Sequence, residues 1–271
     1  MRESTITNLS QNVNFFTFKY DLKYPTRRLT MNKMRTYVIG DIHGCLDELV
    51  YLLEALPLDA PDRLIFLGDY VDRGPNSKEV VSYLIHRRQT RSEDMIFLKG
   101  NHEDMFLSYL GLPGKYGDMF LYNGGGATLA SYGMSPWHSG PQDILPLIPQ
   151  AHLKFLQELK SYYLEKPFLC VHAGIHPNKP LDQQEEEEML WIRDEFILNR
   201  HILPYTVLFG HTPQEKVLFH LPYKIGLDTG LVYGNLLSCL ELKEKLLFQI
   251  VRGKKKVTHK SVKSHWNEMA S

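Results

Sequence analysis

Between residues 36 and 104 an apolar run ends three times in a glycine followed by Asp or Asn. Tyr37-Val38-Ile39 runs into GDIHG, Leu64-Ile65-Phe66-Leu67 into GDYVDRGPNS, and Met95-Ile96-Phe97-Leu98 into GNHED after Lys99. This pattern constrains the fold more than any other feature, because short apolar runs bounded by turn residues suit strands buried on both faces. After the first cluster Leu46, Leu49, Val50 and Leu53 recur at helical spacing, and after the second Val80, Val81, Leu84 and Ile85 do the same. Strand, polar cluster and helix in repetition predict an α/β fold, whose functional groups gather at the carboxyl ends of strands. Two later runs end alike, Phe168 to Val171 in VHAG and Thr206 to Phe209 in GHT. Further strands are expected at Tyr223 to Leu227, Leu236 to Leu240 and Leu246 to Val251. Residues 111–150, rich in Gly, Pro and Tyr, predict loops mixed with short helices.

The 271 residues suffice for one α/β domain with an ample core. Three segments are expected: an N-terminal extension over 1–33, flexible and polar; a catalytic domain over 34–252; and a flexible basic C-terminal tail over 253–271 that begins GKKKVTHK. Lys plus Arg (31) balance Asp plus Glu (31), so no overall field draws the chain to nucleic acid or an anionic membrane. Neither is expected as a partner. Cys45, Cys170 and Cys239 lie far apart without C-x-x-C spacing and read as reduced, buried thiols. With no apolar run of membrane-spanning length and no secretory apolar segment, the expectation is a soluble cytoplasmic protein. The acidic run Glu185 to Glu188 reads as a solvated loop or helix end.

Each polar cluster alone is ordinary: Asp41-x-His43 suits a turn, Asp69 a helix cap, and His172 and His211 satisfied core histidines. Five clusters after five apolar runs are another matter, since together they set Asp41, His43, Asp69, Asn101, His172 and His211 at strand ends. Carboxylates and imidazoles buried there need a partner, and a divalent cation is the natural one. Oxygen and nitrogen ligands without thiolate favour Mn²⁺, Fe or Zn²⁺ over Ca²⁺. Two such ions in one site stabilise the attacking and leaving oxygens of an in-line displacement at phosphorus, which points to phosphoester hydrolysis.

The order and wording of these motifs, GDIHG, GDYVDRG, GNHE, HAG and GHT, resemble the phosphoprotein phosphatase family of dinuclear metallophosphoesterases over residues 36 to 240. The resemblance implies the calcineurin-like metallophosphoesterase fold, a central β-sandwich of mixed sheets flanked by helices. It implies that Asp41 and His43 bind a first metal, that Asp69 bridges, and that Asn101, His172 and His211 bind a second. A water or hydroxide between the metals would be the nucleophile. His102 would protonate the leaving alkoxide. Asp72 would hydrogen-bond His102 and favour its charged form. Arg73 within GDYVDRG, and Arg193 within LWIRDEF on a looser match, would bind the substrate phosphate. Arg193 could alternatively pair with Asp194 or Glu195.

Many dinuclear nucleases and phosphodiesterases that resemble this chain over the first three motifs end in G-H-x-H, whereas this chain reads Gly210-His211-Thr212-Pro213, and proline cannot ligate, which disfavours that branch. Within the family the leading expectation is a bacterial-type serine/threonine protein phosphatase acting on a phosphorylated protein or small phosphoester. The alternative is a symmetrical diadenosine tetraphosphate hydrolase, a group that tends to lack the aspartate represented here by Asp72. An inactive phosphate-recognising scaffold is the reading from another class. The glycines of NGGGAT at 123–128 and LDTGLVYG at 227–234 either let backbone approach substrate or simply make turns, and Tyr233 is a candidate to line the cleft without a catalytic role.

Overall fold

In the computed structural model, which describes residues 34–135 and 140–267, the first part of the chain alternates as expected. It runs β1 (Thr36–Ile39), α1 (Leu46–Ala55), β2 (Arg63–Phe66), α2 (Ser77–Thr90), β3 (Asp94–Phe97) and α3 (Asn101–Tyr109). The expected N-terminal extension over 1–33 lies outside the described residues. The three strands are parallel, with Thr36 opposite Arg63 and Arg63 opposite Asp94. The glycine-rich middle begins with two short helical turns (Gly117–Met119 and Leu121–Gly125) and folds into α4 (Gly126–Ser131), α5 (Pro141–Ile144) and α6 (Gln150–Gln157), with a further turn at Leu145–Leu147 before α6.

The chain then builds a second sheet from β4 (Tyr162–Glu165) and β5 (Phe168–Val171), passes through α7 (Glu186–Trp191) and α8 (Asp194–Ile197), and adds β6 (Thr206–Phe209), β7 (Leu218–His220) and β8 (Lys224–Gly226). Its order is β4-β5-β6-β8-β7, with β5, β6 and β8 parallel. Finally β9 (Leu236–Glu241) returns to pair antiparallel with β1, and β10 (Leu246–Val251) and β11 (Val257–Ser261) extend the first sheet to β11-β10-β9-β1-β2-β3, followed by α9 (Ser264–Asn267). The fold is mixed α/β, two mixed sheets with helices on their outer faces.

Alternate residues of each apolar run serve different cores, which is why the runs are unbroken. Val38, Ile65, Cys170 and Leu208 point between the sheets into one cluster. Tyr37, Ile39, Leu64 and Phe66 face α1, α2 and α3. Leu169, Val171, Val207 and Phe209 face Met189 of α7 and Phe196 of α8. A strand buried on both faces needs apolar residues at every position.

One expectation is corrected. The stretch over 253–267 is not a flexible tail: Val257 to Ser261 pair residue for residue with Ile250 to Leu246 as the outermost strand. Gly253, at φ 73°, turns the chain, and Glu48 holds the turn by accepting from the Gly253 N–H at 2.7 Å and from Arg252 Nη1 at 2.6 Å. Lys260 on this exposed edge strand, with Lys254 to Lys256 just before it, disfavours pairing with other chains, so a basic sequence and strand structure coexist there. The acidic run behaves as a helix end: Glu185 caps α7, and Glu186 to Glu188 fill its first turn, where the helix dipole favours negative charge. The three cysteines are buried and unpaired. Among the described residues no helix is long and apolar enough to cross a membrane.

Candidate metal centre

Every cluster singled out in the sequence opens at the carboxyl end of a parallel strand, and both sheets direct those ends to one place. The loops there are tightly wound. His43, Asp69, Asp72, Arg73 and His211 adopt left-handed backbone at φ 46°, 54°, 71°, 67° and 64°. For residues with a Cβ this conformation costs about 1–2 kcal/mol each, so the surroundings must enforce it. Close approach explains two glycines, since a methyl group at Gly100 would overlap Asp69 Oδ1 and one at Gly210 would overlap Asp41 Oδ1. Glu103, fully buried, braces the turn after β2 by accepting from the backbone N–H groups of Asp69 (2.9 Å), Tyr70 (2.7 Å) and Val71 (3.1 Å), and from that of Gly100 (2.9 Å).

The six candidate ligands converge. His172 donates from Nδ1 to the Leu67 carbonyl at 2.8 Å, so its Nε2 presents a lone pair, and that lone pair faces Asn101 Oδ1 at 3.0 Å and Asp69 Oδ1 at 3.4 Å. His211 Nδ1 meets the same Asn101 oxygen at 2.9 Å. His43 repeats the arrangement: its Nδ1 donates to the Val71 carbonyl at 2.8 Å and its Nε2 faces Asp69 Oδ2 at 3.3 Å. Asp69 therefore offers one oxygen to each group of imidazoles. Asp41 joins through Oδ2, which accepts the His211 N–H at 3.0 Å, while its Oδ1 and His211 Nε2 are buried without a hydrogen-bond partner among the described residues. Lone pairs turned toward one another, and a buried carboxylate oxygen with no donor, fit divalent cations.

The charges agree. Burial lowers the His43 pKa to about 3 and lowers those of His172 and His211, so these imidazoles are neutral and free to ligate. Burial and the neighbouring Asp228 and Asp69 push Asp41 up, and burial pushes Asp228 up to about 6. Asp69 lies far below the ordinary carboxylate range, because the surrounding imidazoles, His172 foremost, outweigh its burial. Three carboxylates crowd one buried space that positive charge would relieve.

His102 borders the candidate ligands and with His43 and Asp69 forms one of the two groups close enough to hold an ion, but it differs in the partner of its other nitrogen. Its Nδ1 hydrogen-bonds Asp72 Oδ2 at 2.6 Å, and its Nε2 looks into the centre, 3.9 Å from Asp69 Oδ2. Burial would lower its pKa, yet the Asp69 charge and the Asp72 hydrogen bond raise it above the ordinary value. Arg73 reaches His43 Nε2 with Nη1 at 2.5 Å and lies against the ring of Tyr233, with Cζ 5.5 Å from its centroid. Tyr233 is 63% exposed. Arg193 donates to the His211 carbonyl at 3.2 Å and to Thr212 Oγ1 at 3.3 Å rather than reaching back to its neighbours, and Glu195 pairs with His176 instead.

Three residues of the site escape the sequence reading: Glu103, Asp228 and Thr128. Glu103 lies inside the quoted GNHED and Asp228 opens DTG directly after β8, so both carried the same positional signal as the ligands. Thr128 closes NGGGAT, where the glycines drew attention from it.

The calcineurin-like phosphoesterase family matches residues 34–236. Over 94 residues, 34% of this chain, the sequence is 47% identical to the symmetrical bis(5'-nucleosyl)-tetraphosphatase of Coxiella burnetii; the match spans 28% of that protein's length. It is 25% identical over 237 residues to the asymmetrical bis(5'-nucleosyl)-tetraphosphatase PrpE of Bacillus thuringiensis, covering 78% of this chain and 92% of that one. A crystal structure described provisionally as a diadenosine tetraphosphatase superposes with a TM-score of 0.61 at 26% identity, over 83% of this chain and 96% of the other.

Proposed function

The chain belongs to the calcineurin-like phosphoesterase family, and on that premise we propose that it is a metal-dependent phosphatase of phosphoserine and phosphothreonine. Two divalent ions held by Asp41, His43, Asp69, Asn101, His172 and His211, manganese first and iron or zinc as alternatives, would acidify a water and neutralise charge on the phosphoryl oxygens. The protein's own groups do the rest. Arg73 and Arg193 bind and orient the phosphoryl oxygens, for which a guanidinium offers paired planar donors. His102 carries a proton at Nε2 and delivers it to the departing oxygen, while Asp72 holds Nδ1–H and stabilises the charged ring.

One observation carries the preference for phosphomonoesters of alcohols: the His102–Asp72 pair, bonded at 2.6 Å with both residues buried. An alkoxide leaves only if it is protonated as the bond breaks, so a built proton donor matters most for serine and threonine esters. A nucleotide departs from a dinucleoside polyphosphate as a stable anion and needs the proton less.

A second reading, hydrolysis of dinucleoside tetraphosphates, is favoured by the names of the relatives above, PrpE in particular, which the chain matches over most of both lengths. Rates on a phosphoserine peptide, a phosphotyrosine peptide and diadenosine tetraphosphate, measured with one Mn²⁺-loaded sample, separate the two. Fastest turnover of the phosphoserine peptide supports the first. Turnover confined to diadenosine tetraphosphate overturns it in favour of the second.

A further inference from the structure

We propose that Thr128 is a positioning residue for the proton donor: Ser77 donates to Thr128 and Thr128 to Asp72, the carboxylate that also accepts from His102. The proposal rests on the reading of His102 as the group that protonates the leaving oxygen. Thr128, Ser77 and Asp72 have no solvent exposure and His102 has 1%, so water replaces none of these contacts.

The direction of these hydrogen bonds follows from counting protons. Asp72 Oδ2 receives His102 Nδ1–H at 2.6 Å, and Asp72 Oδ1 receives the Thr128 hydroxyl at 2.6 Å. A hydroxyl has one proton and two lone pairs. With its proton on Asp72, Thr128 Oγ1 acts as acceptor in its remaining contacts: it takes the Asp72 N–H at 2.9 Å, and the 3.0 Å contact with Ser77 Oγ is donated by Ser77. Ser77 Oγ shares the same Asp72 N–H at 3.0 Å. Both carboxylate oxygens and the amide of Asp72 are thus fixed by side chains.

That fixing is needed because Asp72 sits in left-handed backbone at φ 71°, a conformation its own preferences do not supply. Thr128 arrives from 56 positions away on α4. The same segment anchors itself beside Asp72: Ser131 Oγ accepts the Lys78 N–H at 3.1 Å, and the Gly124 carbonyl accepts the Arg73 N–H at 3.1 Å. The glycine-rich stretch therefore presents a hydroxyl to Asp72 and a carbonyl to Arg73 from one turn of chain. Without the hydroxyl, Asp72 Oδ1 is buried with no donor, and the carboxylate turns away from His102 to find one.

The test is a leaving-group comparison on the Mn²⁺-loaded full chain, using phenyl phosphate, whose phenolate departs poorly, and 2,4-dinitrophenyl phosphate, whose phenolate needs no proton. Thr128→Val is expected to slow phenyl phosphate about 10- to 100-fold, the range for partners that orient a working side chain, and to leave the dinitrophenyl ester nearly untouched with metal content unchanged. Thr128→Ser, which keeps the hydroxyl, restores the phenyl rate. Equal losses on both esters, or a loss on neither, overturn the proposal. Should Thr128→Val fail to fold, Ser77→Ala carries the test, with the same selective loss expected and the same uniform result overturning it. His102→Asn in parallel separates two failures: if it shows the selective loss and Thr128→Val does not, only this inference falls; if His102→Asn shows no selectivity, the proton-donor reading falls with it.

Discussion

The loops after β1 and β2 carry Asp41, His43, Asp69, Asp72 and Arg73, whereas α3 and the loops after β5 and β6 carry Asn101, His172 and His211. The carboxylates among the candidate ligands, Asp41 and Asp69, both lie on the first flank; the candidate ligands of the second are an amide and two imidazoles that burial keeps neutral. Backbone conformation divides the same way, with His43, Asp69, Asp72 and Arg73 in left-handed geometry on one flank and His211 alone on the other. Burying anions is costly, so the charged flank needs more support, and it has it in the Glu103 bonds to three successive backbone amides, the Thr128 hydroxyl and the Arg73 guanidinium. The neutral flank needs little beyond the tether from His172 to the Leu67 carbonyl. Both flanks depend on Asp69, which gives each one oxygen.

The largest expected effect breaks that dependence. Asp69→Asn removes the shared anion, so metal analysis is expected to show both ions lost and activity lowered by more than about a thousandfold, the upper end for a single transition-state contact. Two ions retained would mean that the flanks are independent. Next, His102→Asn is expected to keep its metals while turnover falls by about 10²–10⁴, the range for a general acid; loss of metal would move His102 among the ligands. Arg193→Ala removes a charge-assisted contact from the neutral flank alone. Such a contact contributes about 1.5–3 kcal/mol, so KM is expected to rise roughly ten- to a hundredfold with metal content unchanged.

The smallest effect is on pH. Because the Asp69 charge and the Asp72 hydrogen bond outweigh burial and raise the His102 pKa above the ordinary 6.5, the proposed proton donor is expected to stay charged above that pH, with activity falling on the alkaline side of the raised value. Asp72→Asn removes one raising influence, so the alkaline fall in a kcat–pH profile is expected to move to lower pH. An unmoved limb would assign that titration to another group.

What was legible in the sequence follows from burial. Strands β5, β6 and β10 stand where their apolar runs predicted because both faces are covered, or nearly so, and every residue reports it. The strands without such a signal, β4, β7 and β11, are sheet edges whose residues are mostly half-buried or exposed. The six candidate ligands were legible because each follows such a run by one to four residues. Glu103 shared the cluster of Asn101, but its role as a brace for backbone amides 34 positions away is not recorded in local spacing, and Thr128, which reaches Asp72 across 56 positions, had no such cue at all. Asp228 had the same local cue as the ligands, but its strand is three residues long and the glycines after it suggested a turn.

The final strand has a practical consequence. His265, just beyond β11, stacks on Phe219 of the opposite sheet with ring centroids 4.1 Å apart, Trp266 meets the same ring edge-on, and Val262 lies buried in the layer between the sheets. The C-terminal segment is a clasp across the sandwich, so trimming the chain before Val257 to obtain a minimal catalytic fragment would uncover the β10 edge and the ring of Phe219 together. Such a fragment is a candidate for aggregation rather than for easier handling.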